Sequence, residues 1–326
     1  MAIEFDEVPG WGDQSWDDDV TGVAVDSGDR VYALRRGDPA VTVLDRDGAV
    51  LDRWGDTLLS ERPHLISIDA SDRLYIADDG GHQVVVFDRS GRRLEVIGRG
   101  IPAKTGFYDT EHTSTEDAFE NMPGGPPFNR PTKAVAAPDG ELFVSDGYRN
   151  CRVHRFSVGR RRLVTFWGGA GAAPGCFVIP HSITVDRQGR LLVCDRENDR
   201  IQVFTRGGEL LDVWNDVQRP TDTAVDEHGN VYVTELARGP GDMKSWRLGK
   251  AEHEMPGRVT MWTPERRLAA RIGPPETGFL APHAVAVDST GAVYVAEVPQ
   301  SFARSTGRTP RLHRCLHKFV PRRAEG

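Results

Sequence analysis

Short apolar runs separated by polar turns fill this chain, and one order of runs recurs six times. The first run of each repeat alternates apolar with small or polar residues, the two-residue period of a half-buried strand. Three copies begin with Pro-His: Pro63-His64-Leu65-Ile66-Ser67-Ile68-Asp69, Pro180-His181-Ser182-Ile183-Thr184-Val185-Asp186 and Pro282-His283-Ala284-Val285-Ala286-Val287-Asp288. The other three carry threonine in the same slot: Val20-Thr21 to Asp26, Pro131-Thr132 to Ala137 and Pro220-Thr221 to Asp226. In chain order the slot therefore reads Thr, His, Thr, His, Thr, His.

Polar turns follow each first run (Ser27-Gly28-Asp29, Ser71-Asp72, Pro138-Asp139-Gly140, Gln188-Gly189, Glu227 to Asn230 and Ser289-Thr290-Gly291), composed as hairpin turns are. Second strands begin at Val31, Leu74, Leu142, Leu191, Val231 and Val293. Third strands are expected over Gln83 to Phe87, Arg152 to Phe156, Ile201 to Phe204, Arg258 to Trp262 and Leu316 to Val320. Fourth strands end at Trp54-Gly55, Ile97-Gly98, Trp167-Gly168, Trp214-Asn215 and Ile272-Gly273. Four-stranded units of this kind cannot bury their faces alone, and stacking them as blades predicts an all-β, six-bladed β-propeller. The sixth repeat lacks a fourth strand, while the segment Glu4 to Gly12 has a fourth-strand ending, so the N-terminal strand is expected to close the last blade.

On this reading residues 1–326 are a single propeller domain with insertions at 99–129, 236–256 and 298–309. All three fall on the face where the first strands begin, as walls or a lid over a channel mouth. Charge adds an exclusion: 41 basic against 48 acidic residues, with no long run of either sign, favour a small-molecule or peptide substrate over nucleic acid or a membrane surface. The first residues lack the basic and apolar regions of a signal peptide, and Cys151, Cys176, Cys194 and Cys315 show no paired spacing. A cytoplasmic protein with free thiols is expected, its oligomeric state open.

The alternating histidines are the candidate chemistry. If first strands are innermost, His64, His181 and His283 converge on one axis, the donor set of a catalytic Zn²⁺ or another divalent transition ion with an open position. The remaining histidines, His82, His112, His154, His228, His253, His313 and His317, fall mostly in loops or on the surface in this reading and take no role. Acidic residues after the second strand (Asp78, Asp146, Asp195, Glu235, Glu297) recur across blades, which marks them as ties for loop amides. Arg36, Tyr148 and Arg196 occupy the same loops without recurring, so the repeat does not account for them.

These residues resemble a known family. The repeats look like NHL repeats, and the strings Arg36-Gly37-Asp38, His82-Gln83, Val144-Ser145-Asp146-Gly147-Tyr148 and Asp195-Arg196-Glu197-Asn198 with Arg200-Ile201-Gln202, together with the three Pro-His pairs, resemble the peptidyl-α-hydroxyglycine α-amidating lyases. The resemblance implies zinc on His64, His181 and His283, Tyr148 as catalytic base, and Arg36 and Arg196 as residues that anchor substrate and tune the tyrosine. Ala284 and Ala281 stand where the family has a calcium-binding Asp and a Met, and Arg149 where it has a cysteine, so neither a structural Ca²⁺ nor the family's disulfide is expected.

The reaction so implied is cleavage of the C–N bond of an α-hydroxy amide to an amide and an aldehyde such as glyoxylate. A phenol near pKa 10 needs neighbouring cations to act as a base at neutral pH, and Arg196 and the metal are the candidates. Two other readings use the same fold: a metal-dependent hydrolase of lactonase or amidase type, and a non-catalytic NHL binding module.

Overall fold

Why five of the six first runs end in aspartate is answered by the hairpin that follows each. In the computed structural model, Asp69 accepts backbone N–H bonds from Ser71 and Arg73 through one oxygen, and the Arg73 side chain and Tyr75 hydroxyl through the other. Asp26, Asp186, Asp226 and Asp288 do the same work in their own turns. Burial raises the Asp69 carboxyl pKa, but the bonds from Arg73, Ser71 and Tyr75 outweigh it and hold the group below its ordinary value.

The structure describes residues 3–12, 18–55, 58–98, 100, 128–159, 162–242, 244–274, 278–307 and 314–322. Within them lie six four-stranded antiparallel sheets. The first is β2–β5, over Val20–Val25, Val31–Arg35, Val41–Leu44 and Val50–Trp54. The second is β6–β9 (Pro63–Ile68, Leu74–Asp78, Gln83–Phe87, Arg93–Gly98). The third is β10–β13 (Lys133–Ala136, Leu142–Asp146, Arg152–Phe156, Leu163–Gly168). The fourth is β14–β17 (Pro180–Val185, Leu191–Asp195, Arg200–Phe204, Leu210–Trp214). The fifth is β18–β21 (Pro220–Val225, Val231–Glu235, Arg258–Trp262, Leu268–Ile272). The sixth, β22–β24 (Pro282–Val287, Val293–Glu297, Leu316–Pro321), is completed by β1 (Phe5–Glu7), with Phe5 opposite Pro321 and Glu7 opposite Phe319. The chain is thus an all-β, six-bladed β-propeller whose last blade takes its fourth strand from the N-terminal segment.

The chain divides into two compact units, one of residues 1–56, 221–242 and 251–326, the other of 57–220 and 243–250. In the second, one core gathers Phe143, Val153, Phe177, Ile183, Val193 and Phe204 between the third and fourth blades, and another gathers Tyr75, Val84, Phe128, Leu142 and Phe156 between the second and third. In the first unit, Tyr232, Val259, Phe279, Val285, Val295 and Phe319 join the fifth and sixth blades. Inner strands are buried on both faces, whereas fourth strands such as Leu163–Gly168 alternate half-buried and exposed positions. That gradient places chemistry-bearing side chains at the inner strands and their loops.

The expected ties after the second strands are present. Asp78 accepts from the amides of Ser60 and Gly81, Asp146 from the amide of Asn129, Asp195 from that of Val178, and Glu297 from those of Leu280 and Ala281. Glu235 instead takes the side chains of Arg258 and Thr260. Burial raises Asp195 to about 6 despite Arg200 and Asn198 beside it.

The insertions fare differently. The one at 99–129 lies outside the described residues apart from Gly100, Phe128 and Asn129. That at 298–309 contains a short helix, α2 (Pro299–Thr306), opened by proline at its first position, where a missing N–H costs nothing. Two of the histidines expected in loops or on the surface are interior instead: His154 is fully buried against Asp146, and His317 bridges Glu7 and Glu297. Both sit on third strands, where carboxylates of their own blade compensate the buried polar ring. All four cysteines are free thiols, and burial pushes Cys151 and Cys315 up to about 12.

Candidate active site

The alternation of threonine and histidine corresponds to a chain of hydrogen bonds from blade to blade. His64 donates from Nδ1 to the carbonyl of Thr132 at 2.8 Å, and the Thr132 hydroxyl donates at 2.8 Å to the carbonyl of Pro180, the residue before His181. The other unit repeats the device: the Thr221 hydroxyl donates to the carbonyl of Pro282 at 3.0 Å, and His283 donates from Nδ1 to the carbonyl of Thr21 at 2.7 Å. A carbonyl can only accept, so Nδ1 carries the proton in His64 and His283, and Nε2 is left with its lone pair. Metal-ligating imidazoles are oriented by this kind of backbone bond, and the donor chemistry fits a transition ion. All three histidines are buried.

Tyr148 meets these rings through a local turn. After β11 ends at Asp146, residues Gly147–Asn150 make one helical turn, α1, stopped by Cys151 in the left-handed region at φ 50°. The turn sets the Tyr148 hydroxyl 3.0 Å from Nε2 of His64, to which it donates, and 3.3 Å from Nε2 of His181. The two imidazole centroids are 4.6 Å apart. Gly147 has no room for a side chain, since a Cβ there would lie 2.3 Å from the carbonyl oxygen of Pro180.

Arg196 reaches the same place from the fourth blade. It opens a 3₁₀ turn, Arg196–Asn198, and its guanidinium carbon lies 5.7 Å from the centre of the Tyr148 ring. Burial works against its charge, but the carboxylate of Glu197 and then Tyr148 outweigh it and hold its pKa above the ordinary value. Glu197, fully buried, accepts from Arg196 Nε at 2.7 Å and from Arg219 Nη2 at 2.9 Å. Part of the 236–256 insertion straps this turn: Trp246 donates its amide to the Glu197 carbonyl, and Arg247 donates to the carbonyls of Asn198 and Asp199.

His64, Tyr148, His181 and Arg196 are therefore assembled within one unit, while His283 and Arg36 belong to the other. Arg36 follows β3, where its amide donates to the Asp19 carbonyl and its side chain contacts Ser301 and Asp19. Asp19 also accepts the amides of Gln300 and Ser301, so Arg36 is tied to the start of α2. Reading the sequence placed Asp79 and Glu197 in the loops beside this neighbourhood but missed Arg62, Arg130 and Arg219 as their partners. A signal existed, because Arg62, Arg130 and Arg219 each immediately precede the proline of a first strand.

The profile of the NHL repeat matches residues 128–156 and 177–204, which hold Tyr148, His181 and Arg196. Among curated proteins, peptidyl-α-hydroxyglycine α-amidating lyase 1 of Drosophila melanogaster is 30% identical over 221 residues, 63% of this chain and 38% of that protein. The chain carries NHL repeats at those residues and resembles the peptidyl-α-hydroxyglycine α-amidating lyases. Human NHL repeat-containing protein 3 is 32% identical over 191 residues, 52% of this chain and 48% of that protein. The chain thus spans less than half the length of these curated relatives. A gluconolactonase structure from Xanthomonas campestris shares the fold, with a TM-score of 0.59 at 16% identity over 92% of this chain and 85% of that one.

Proposed function

We propose that this protein is a metal-dependent carbon–nitrogen lyase that splits an α-hydroxy amide into an amide and an aldehyde such as glyoxylate. The observation that carries the reading is the Tyr148 hydroxyl placed against the Nε2 atoms of His64 and His181. His64, His181 and His283 would hold the ion, with zinc the best match to three imidazoles. The Nδ1 bonds of His64 and His283 leave Nε2 of each ring free to ligate. When bound, such an ion supplies Lewis acidity at the carbinol oxygen.

The side chains then divide the work. Tyr148, as its phenolate, takes the carbinol proton; the electron pair left on the oxygen closes to a carbonyl as the C–N bond breaks, and Tyr148 returns that proton to the departing nitrogen, which becomes the primary amide. Arg196, fixed by Glu197 with its guanidinium beside the Tyr148 ring, is poised to hold substrate. Arg36 takes the carboxylate of the α-hydroxyglycine end in a two-pronged grip. The relatives named as α-amidating lyases support this reaction over others.

The test is product analysis with N-acetyl-α-hydroxyglycine in ¹⁸O water, with the His64→Ala variant as control for spontaneous breakdown. Equimolar acetamide and glyoxylate, the acetamide unlabelled, is the expected result. Labelled acetate would instead assign a hydrolase.

A further inference from the structure

A second arginine–carboxylate–arginine group, Arg62–Asp79–Arg130, is tied to Tyr148 through the Arg130 backbone, and no step above uses it. Asp79, fully buried, accepts from Arg62 Nη2 at 2.9 Å and lies 3.7 Å from Arg130 Nε. Arg62 stands two residues before His64, and its carbonyl accepts the amide of Gly80. The carbonyl of Arg130 accepts the amide of Tyr148, and the amide of Arg130 donates to Nδ1 of His82. Both arginines are thereby anchored beside the site through backbone as well as side chain.

The group is not a closed ion pair. Two guanidinium charges face one carboxylate, leaving a net charge of about +1. Arg62 uses only Nε and Nη2 on Asp79, and the terminal nitrogens of Arg130 have no partner among the described residues. The Arg62 and Arg130 side chains are 46% and 30% exposed, so the unused donors reach solvent while the carboxylate behind them does not. Guanidinium edges held from behind by a buried carboxylate are preorganised for a planar anion. A single negative charge neutralises the group, which a dianionic phosphate would overshoot.

We propose that Arg62 and Arg130 form a second anion subsite that selects substrates whose acyl portion carries a carboxylate, in addition to the carboxylate at the α-hydroxyglycine end. This rests on the lyase reading for the orientation of the substrate. The favoured class is then an N-(carboxyacyl)-α-hydroxyglycine, cleaved to a carboxyacyl amide and glyoxylate. An α-hydroxy amide with a neutral acyl group would be a poor substrate.

The test uses a matched pair that cannot be cleaved, N-succinylglycine and N-butyrylglycine, titrated calorimetrically into the protein as isolated at low, fixed ionic strength. The expected result is at least tenfold tighter binding of the succinyl compound. That ratio should fall to about twofold or less in Arg62→Gln and in Arg130→Lys, and persist in Arg89→Gln, an exposed arginine paired with Asp72 in the same unit. A purely structural clamp would lower the melting temperature of the first two variants without moving the ratio. Equal affinity of the pair in the wild type, or a ratio that survives both variants, overturns the subsite. The two readings fail separately: succinyl preference without glyoxylate release from any α-hydroxy compound leaves the subsite and removes the lyase. Cleavage of N-acetyl-α-hydroxyglycine without succinyl preference does the reverse.

Discussion

Tyr148→Phe is expected to lower kcat for an α-hydroxy amide by about 10²- to 10⁴-fold, the span that a positioned acid–base group supplies. The phenyl ring keeps its edge contacts with His64 and His181, centroids 5.1 and 5.9 Å away, so folding and metal content should be unchanged. Substrate anchoring falls to the arginines in this account, so KM should move by no more than a few-fold. The loss would therefore appear in kcat. Full turnover by the phenylalanine variant would remove Tyr148 from the mechanism, and a large rise in KM with kcat intact would make it a binding residue.

The second large effect is on stability, at the strand that completes the last blade. Deleting residues 1–12 removes the pairing of Phe5–Glu7 with Phe319–Pro321, and with it Trp11, which is buried, donates to the Arg46 carbonyl at 2.7 Å and packs on Tyr294. It also removes Glu7, one of two carboxylates on the buried His317. Burying a large aromatic contributes about 1.5–3 kcal/mol, and breaking a buried charge pair costs about 3–5 kcal/mol. A loss of about 5 kcal/mol or more is expected, against a typical total of about 5–15 kcal/mol. The truncated protein should melt far below the full chain, and an unchanged melting curve would contradict the strand's role.

The same triad sets a pH dependence whose sign can be worked out. Burial lowers the His317 pKa, but its bonds to Glu297 and Glu7 outweigh this and raise it to about 9, while the bond from His317 holds Glu7 below its ordinary value. The raised histidine contributes stability that is complete below about pH 6.5 and is lost as pH rises through about 9. The lowered glutamate contributes above its unfolded pKa and loses that contribution as pH falls through its folded value. Denaturant unfolding between pH 6.5 and 10 should show the wild type weakening by about 2–4 kcal/mol, and His317→Leu nearly flat over that range. Glu297 also holds the amides of Leu280 and Ala281, just before Pro282-His283, so loosening the triad should disturb His283.

What the sequence disclosed and what it hid follow from the range of the interactions. The strands, the hairpin aspartates and the Thr/His slot are local and periodic, so six copies reinforce each reading. Val41–Leu44, the third strand of the first blade, was less plain because Gly37 to Ala40 separate it from β3. Tyr148 and Arg196 stood out because they break the repeat, yet the short helical turns that aim them depend on left-handed residues, Cys151 and Asp199, that no pattern announces. Glu197 was in plain view beside Arg196, but its second partner, Arg219, lies 22 residues on. Asp79 and Arg130 are likewise brought together only by packing of neighbouring blades. His317 could not be told from a surface histidine because its carboxylates come from Glu7 and Glu297, in two other strands.

The central claim is that three histidines hold one metal ion. It is tested most directly by elemental analysis of protein purified without an affinity metal, comparing wild type with His64→Ala, His181→Ala and His283→Ala. The account predicts about one zinc per wild-type chain and loss of the ion in each variant. A wild-type protein that binds no divalent transition metal even after reconstitution, or that keeps its metal in all three variants, would contradict it.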